Sequence, residues 1–271
     1  MAFVELNYGS YNLGMDSSVS VFLPEKRLQK PVSQPDRKYP VLYLLHGHSY
    51  DHTAYVRKGI TEILVRDLDL IVVMPNGHRS FYTNAKQGHL YEDFITQELP
   101  VVIENYFPAS SSREDRFIAG LSMGGYGALK LALNHPDLYT AAASMSGAVS
   151  PRMTENEKTK GMFAVPDMFQ NLENIFGSEE DYKNSGSDLM YMARKVDESE
   201  GPKPRIFQCC GTEDPLIGDN RALRDVFRSE LKNIPYEYKE SPGIHNWFYW
   251  NQALVDILEF LGFAVDRNVV L

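Results

Sequence analysis

Residues 117–131 constrain this chain more than any other stretch. They read Phe117-Ile118-Ala119-Gly120-Leu121-Ser122-Met123-Gly124-Gly125-Tyr126-Gly127-Ala128-Leu129-Lys130-Leu131. The apolar run at 117–119 suits a buried strand, and from 126 to 133 apolar residues recur at helical spacing. Between them lies Gly120-x-Ser122-x-Gly124, the pattern of a nucleophile elbow. Such an elbow places its serine on a sharp, strained turn, with the hydroxyl standing clear of the sheet. Gly120 and Gly124, having no Cβ, allow strand and helix to approach closely around that turn. The helix then directs its N-terminus at the site, where free N–H groups and the dipole favour developing negative charge.

The elbow predicts a strand–helix alternation, and the rest of the chain supplies it. Residues 4–8 and 19–23 read as an antiparallel pair around a turn rich in Gly, Ser and Asn. Apolar runs at 41–45, 70–74, 141–146 and 205–210 suit the buried strands of a parallel sheet, and 236–240 a last strand. Helical patterns fall at 54–66, at 91–106 with a kink expected at Pro100, at 220–231 and at 247–263. The expected architecture is a single α/β domain over 1–271, a doubly wound, mostly parallel sheet of about eight strands. Residues 149–201 break the rhythm and read as a cap-like insertion with weak helical patches at 167–175 and 187–196. Ligands of such sheets sit beyond the carboxyl ends of the strands, and Ser122, His46-Gly47-His48, Asp214 and His245 all follow strand ends.

A serine hydroxyl is a poor nucleophile until a base takes its proton. In an elbow fold the chain order is serine, acid, histidine. Of seven histidines, His245 is the one that follows both the elbow and a late strand, and it is the base candidate. His135, just before Pro136, reads as a helix-end residue. Asp214 in Gly211-Thr212-Glu213-Asp214-Pro215 is the acid candidate, with Glu213 and Asp219 as rivals. Its task is to hold the imidazole in one tautomer and stabilise its charged form. For the oxyanion hole, one N–H is assigned to Met123 and the second to His48, with Gly47 as the alternative. Gly47 and Trp247 are the substrate-binding candidates. A competing pattern, His46-x-His48-x-x-Asp51-His52, has the residue types of a zinc set, but it leaves the elbow, Asp214 and His245 without a role. No metal and no cofactor are expected.

The net charge of −9 argues against nucleic acid or anionic membranes as partners. No run of 18 apolar residues exists to span a bilayer, and the first residues show no basic segment followed by an apolar one. Cys209 and Cys210 are adjacent in an apolar run and read as core packing rather than as a disulfide framework. These features point to the cytoplasm.

With these residues in place, the chain resembles the esterase D, tributyrin esterase and feruloyl esterase group of α/β-hydrolases, most of all bacterial tributyrin-type acetyl esterases. The resemblance is carried by Tyr43-Leu44-Leu45-His46-Gly47, Leu70-Ile71-Val72-Val73-Met74-Pro75-Asn76, the elbow, Gly211-Thr212-Glu213-Asp214 and Gly243-Ile244-His245-Asn246-Trp247. It implies an α/β-hydrolase fold and a serine carboxylesterase acting on small short-chain acyl esters. It also implies no cofactor and a homo-oligomer, dimer or tetramer. S-formylglutathione hydrolases share the elbow, but His46-Gly47-His48-Ser49 departs from the Cys-containing segment usual in their corresponding loop. Acyl transfer and an inactive binding scaffold are the remaining alternatives. Within the insertion, Met153, Met162, Phe163, Val165, Met168 and Phe169 are expected to cover an acyl chain, or else to pack the insertion on the scaffold or on a neighbouring subunit.

Overall fold

A computed structural model of the chain describes residues 1–25, 36–151 and 167–270. Eight strands form one sheet in the order β1-β2-β4-β3-β5-β6-β7-β8. They are β1 Ala2–Ser10, β2 Met15–Leu23, β3 Val41–Leu45, β4 Ile71–Pro75, β5 Arg116–Leu121, β6 Ala141–Met145, β7 Arg205–Gly211 and β8 Tyr236–Ser241. β1 pairs with β2 and β2 with β4 in antiparallel fashion, and all later pairings are parallel. This is the doubly wound α/β-hydrolase sheet that the sequence predicts.

The central strands are apolar throughout because both of their faces are covered. Alternate side chains point to opposite faces. Tyr43, Leu45 and Ile118 enter one core, with the elbow helix Met123–Asn134 above it. Leu42, Leu44, Phe117 and Ala119 enter the other, against the C-terminal helix Trp247–Phe260. Cys209 and Cys210 are buried and unpaired, and burial pushes both thiols above their usual range.

Three elements differ from the sequence reading in a physically informative way. The helix expected over 54–66 is two short helices, Ala54–Arg57 and Thr61–Val65. They part at Gly59, where an added Cβ would meet the Tyr55 carbonyl at 2.8 Å and the Trp247 ring at 3.2 Å. In 91–106 the irregularity is a π-helical stretch, Phe94–Glu98, in which the Leu99 N–H reaches the Phe94 carbonyl. This wide turn lies just ahead of Pro100, which has no N–H of its own to give. The insertion also holds a helix unread from the sequence, Glu179–Tyr182, capped by a reciprocal Ser178–Asp181 box.

Beyond residue 166 the insertion packs on the scaffold. Met168, Leu172, Ile175, Phe176, Tyr182 and Leu189 are buried in the same core as the elbow helix, whereas Phe169 is exposed. The covering role expected of Met153, Met162, Phe163 and Val165 falls outside the described residues.

The elbow helix is buried on every side from Met123 to Leu133, including Lys130. A buried ammonium needs a partner. Lys130 is paired with Glu92, whose other oxygen takes Asn134 Nδ2 at 3.2 Å and His135 Nε2 at 3.0 Å. His135, the C-cap of the helix, therefore serves the scaffold. Burial alone would raise the Glu92 carboxyl, but the Lys130 charge, helped by His135, outweighs it and holds it at about 2. A depressed carboxyl pKa contributes stability above its ordinary value of 4.5, and that contribution disappears as pH falls towards 2. Glu92→Gln leaves Lys130 buried without a counter-charge and should cost about 3–5 kcal/mol in urea unfolding at neutral pH. A loss under about 1 kcal/mol would mean that water or another carboxylate reaches Lys130.

Candidate active site

Ser122 sits between β5 and the elbow helix with φ 54° and ψ −117°. A non-glycine residue in that region is strained. The surrounding bonds hold it there: the Ser122 N–H donates to Met145 O at 2.9 Å, and its carbonyl accepts from Tyr126 N at 3.1 Å and Ala148 N at 3.0 Å. The two elbow glycines make the turn sterically feasible. A Cβ on Gly120 would fall 2.4 Å from the Gly124 backbone, and one on Gly124 would fall 2.1 Å from the Leu45 carbonyl oxygen.

Three loops bring the expected partners to this serine. The loop after β7 carries Asp214, buried beside the start of the helix Ile217–Ser229. Its Oδ1 accepts the Leu216 N–H at 2.8 Å, which leaves Oδ2 to face His245. The loop after β8 carries His245, whose Nδ1–H donates to Asp214 Oδ2 at 2.9 Å. That bond sets the tautomer, so the opposite nitrogen, Nε2, accepts the Ser122 hydroxyl at 3.0 Å. The rivals stand apart from this run: Glu213 bonds Thr212, and Asp219 lies in the first turn of Ile217–Ser229, where burial raises its carboxyl.

The third loop follows β3. Gly47 lies against the serine, since an added Cβ would be 3.4 Å from Ser122 Cβ and 2.8 Å from Leu121 Cδ1. Met123 opens the elbow helix, where backbone N–H groups have no intrahelical acceptor. His46 is buried, and burial lowers its pKa to about 4 despite the bond to Gly47. The neutral ring donates through Nδ1 to Gly47 O at 2.8 Å and accepts the Gly77 N–H on Nε2 at 2.9 Å. His48 is likewise held near 4, by burial first and then by the Arg79 charge. Its Nε2 accepts from Arg79 Nε at 3.2 Å.

The histidines of the competing zinc pattern are thus committed to separate partners. His52 Nε2 bonds Glu5 at 2.9 Å, and Asp51 takes Thr53 and Arg57. Among the described residues, no group of three or more His, Cys, Asp or Glu side chains is placed to hold a metal ion. Trp247 belongs to an aromatic wall with Tyr50, Tyr55 and Trp250, and the Trp250 ring stands edge-on to His245 at 4.9 Å. The Arg79–His48 and Tyr82–His46 contacts had no sequence signal, because they join residues 31 and 36 positions apart without a motif.

A family model described as "Putative esterase" matches residues 10–261. The chain belongs to this esterase family. The esterase is 28% identical to the acetyl esterase of Caldicellulosiruptor saccharolyticus, over 98% of this chain and 100% of that protein. Its structure is similar to that of FphF, a fluorophosphonate-binding serine hydrolase of Staphylococcus aureus. The TM-score is 0.85 and the identity 32%, covering 97% of this chain and 99% of that one. It is also similar to FrmB, an S-formylglutathione hydrolase of the same species, with TM-score 0.81 and 31% identity over 96% and 98% of the two chains. The esterase is a serine hydrolase of the carboxylic ester class. Among the described residues, none of its helices is long and apolar enough to cross a membrane.

Gly124→Ala tests the close approach at the elbow. The new methyl has backbone, not a flexible side chain, in its way. The variant should lose most esterase turnover and about 1–3 kcal/mol of stability, as overpacking does. Full activity in Gly124→Ala would show that the turn opens without disturbing Ser122.

Proposed function

We propose that the esterase hydrolyses short-chain acyl esters, of acetyl or butyryl type, through Ser122, His245 and Asp214. The observation that carries this reading is the continuous hydrogen-bonded run from the Ser122 hydroxyl through the His245 ring to the buried Asp214 carboxylate. Ser122 Oγ attacks the ester carbonyl while His245 Nε2 takes its proton. Asp214 holds the imidazole in the tautomer that leaves Nε2 free and stabilises the imidazolium. Met123 and His48 N–H groups receive the oxyanion. His245 then protonates the departing alcohol, and a water molecule, deprotonated by the same ring, releases the acid. The similarity to an acetyl esterase over its full length supports the small acyl group. Acylated carbohydrates and feruloyl esters are natural extensions of the same chemistry.

Ser122→Ala should abolish labelling by a fluorophosphonate probe and leave the protein folded. Asp214→Asn should lower turnover by about 10⁴-fold, the effect of a wrong histidine tautomer. Labelling that persists in Ser122→Ala would move the nucleophile elsewhere, and a large loss in Asp219→Asn but not in Asp214→Asn would move the acid.

The similarity to FrmB favours a second reading, hydrolysis of a formyl thioester. The two readings separate on one panel of p-nitrophenyl acetate, p-nitrophenyl butyrate, a feruloyl ester and S-formylglutathione. The oxygen-ester reading expects the highest kcat/KM on acetate or butyrate. A higher value on S-formylglutathione would assign the esterase to thioesters.

A further inference from the structure

Three consecutive carbonyls at the carboxyl end of β3 are each clamped. The Tyr55 hydroxyl donates to Leu45 O at 3.1 Å, the Tyr82 hydroxyl to His46 O at 2.9 Å, and His46 Nδ1–H to Gly47 O at 2.8 Å. The Tyr50 N–H also reaches Gly47 O, at 3.1 Å. In a trans peptide the N–H points opposite to the carbonyl. Clamping the Gly47 carbonyl therefore sets the direction of the His48 N–H, which belongs to the peptide that follows Gly47, the residue lying against Ser122.

Residues 76–83 supply one of these clamps and two further contacts. Besides the Tyr82 hydroxyl, this loop supplies the Gly77 N–H to His46 and the Arg79 guanidinium to His48. The Phe81 ring lies 5.7 Å from that of His48. The loop is strained, with φ of 44° at His78, 50° at Phe81 and 52° at Tyr82. Bulky residues rarely adopt such angles, and they keep them only where their surroundings over-determine them. Those surroundings reach back to the elbow helix. The fully buried Tyr82 ring is wedged between Gly77 and Gly127, where added Cβ atoms would fall 2.3 and 2.4 Å from it. One turn on from Gly127, Lys130 Nζ lies 3.5 Å from the Tyr82 carbonyl. Tyr82 thus joins the helix that follows Ser122 to the loop that faces Ser122.

We infer that Tyr82 is a positioning residue for the oxyanion hole: through His46 it fixes the Gly47–His48 peptide at the distance and angle the reaction needs. The inference rests on the serine-esterase reading above, with His48 N–H as a donor. Tyr82 touches no substrate. Its effect appears in the transition state, because charge develops on the ester oxygen only there.

Tyr82→Phe keeps the ring and removes the hydroxyl. With p-nitrophenyl acetate, kcat should fall about tenfold, as loosened placement of a reacting group does. KM should stay within about twofold. Binding of an aryl trifluoromethyl ketone, whose hemiketal oxygen takes the oxyanion position, should weaken by the same factor as kcat/KM. All assays run well below each variant's Tm. A purely structural tyrosine would lower Tm and leave kcat and inhibitor affinity at parent values, and that result overturns the inference. Should Tyr82→Phe fail to accumulate as folded protein, Arg79→Ala reports on the same brace through His48 and must show the same joint loss. Ser122→Ala, run alongside, separates the two claims. Parent-level turnover in Ser122→Ala removes the nucleophile assignment and this inference with it. An inactive Ser122→Ala beside a fully active Tyr82→Phe removes only the positioning role.

Discussion

The structure depends on how closely the Ser122 turn approaches the end of β3. The Gly124 backbone sits where any Cβ would collide with the Leu45 carbonyl, and Gly120 sits where any Cβ would collide with Gly124. That contact forces Ser122 into its strained angle, starts the elbow helix directly behind it, and places Gly47 beside its Cβ. Strain of this kind costs of order 1–3 kcal/mol per residue. The sheet supplies the restraint: Ser122 N–H is tied to β6 through Met145, and β5 is paired on both sides in register. The Ser122 hydroxyl is consequently presented at the start of a buried helix rather than by a loop tip.

Around that contact the polar groups are arranged so that the His46, His48 and His245 rings each have hydrogen-bond partners. Asp214 uses one oxygen for the Leu216 N–H and the other for His245, so neither its carboxylate nor the ring can rotate freely. His46 and His48 stay neutral because burial opposes their charge, which leaves His46 Nε2 an acceptor for Gly77 and His48 Nε2 an acceptor for Arg79. Two kinds of histidine thus share one rim. His245 faces the serine, and the other two brace the loop opposite.

Much of this was legible in the sequence, for identifiable reasons. Runs such as Val41–Leu45 are apolar at every position because parallel strands are covered on both faces, so the strands could be read directly. The elbow serine and the candidate acid and base follow strand ends in the chain order expected of an elbow fold, which is why Ser122, Asp214 and His245 could be named as candidates, and the fold brings them into hydrogen-bond contact. Local interruptions were harder. Gly59 parts two helices because Trp247, nearly 190 residues later, packs there, and no local pattern carries that information. The π turn before Pro100 replaces the expected simple kink because a wider turn accommodates the missing N–H. The bracing of the β3 loop by Tyr82 was least legible, since a tyrosine after a strand end reads as ordinary packing and only the fold brings its hydroxyl to His46.

In the mechanism proposed above, Ser122 carries the acyl group between two half-reactions. Rapid acid quench of the enzyme with excess p-nitrophenyl acetate, followed by peptide mass analysis, tests it without any substitution. One acetyl group per chain is expected, on the peptide bearing Ser122, formed as fast as the first equivalent of p-nitrophenol and lost at the steady-state rate. Acetate on any other residue at that rate, or turnover with no acyl-enzyme even when deacylation is slowed by low temperature, would contradict it.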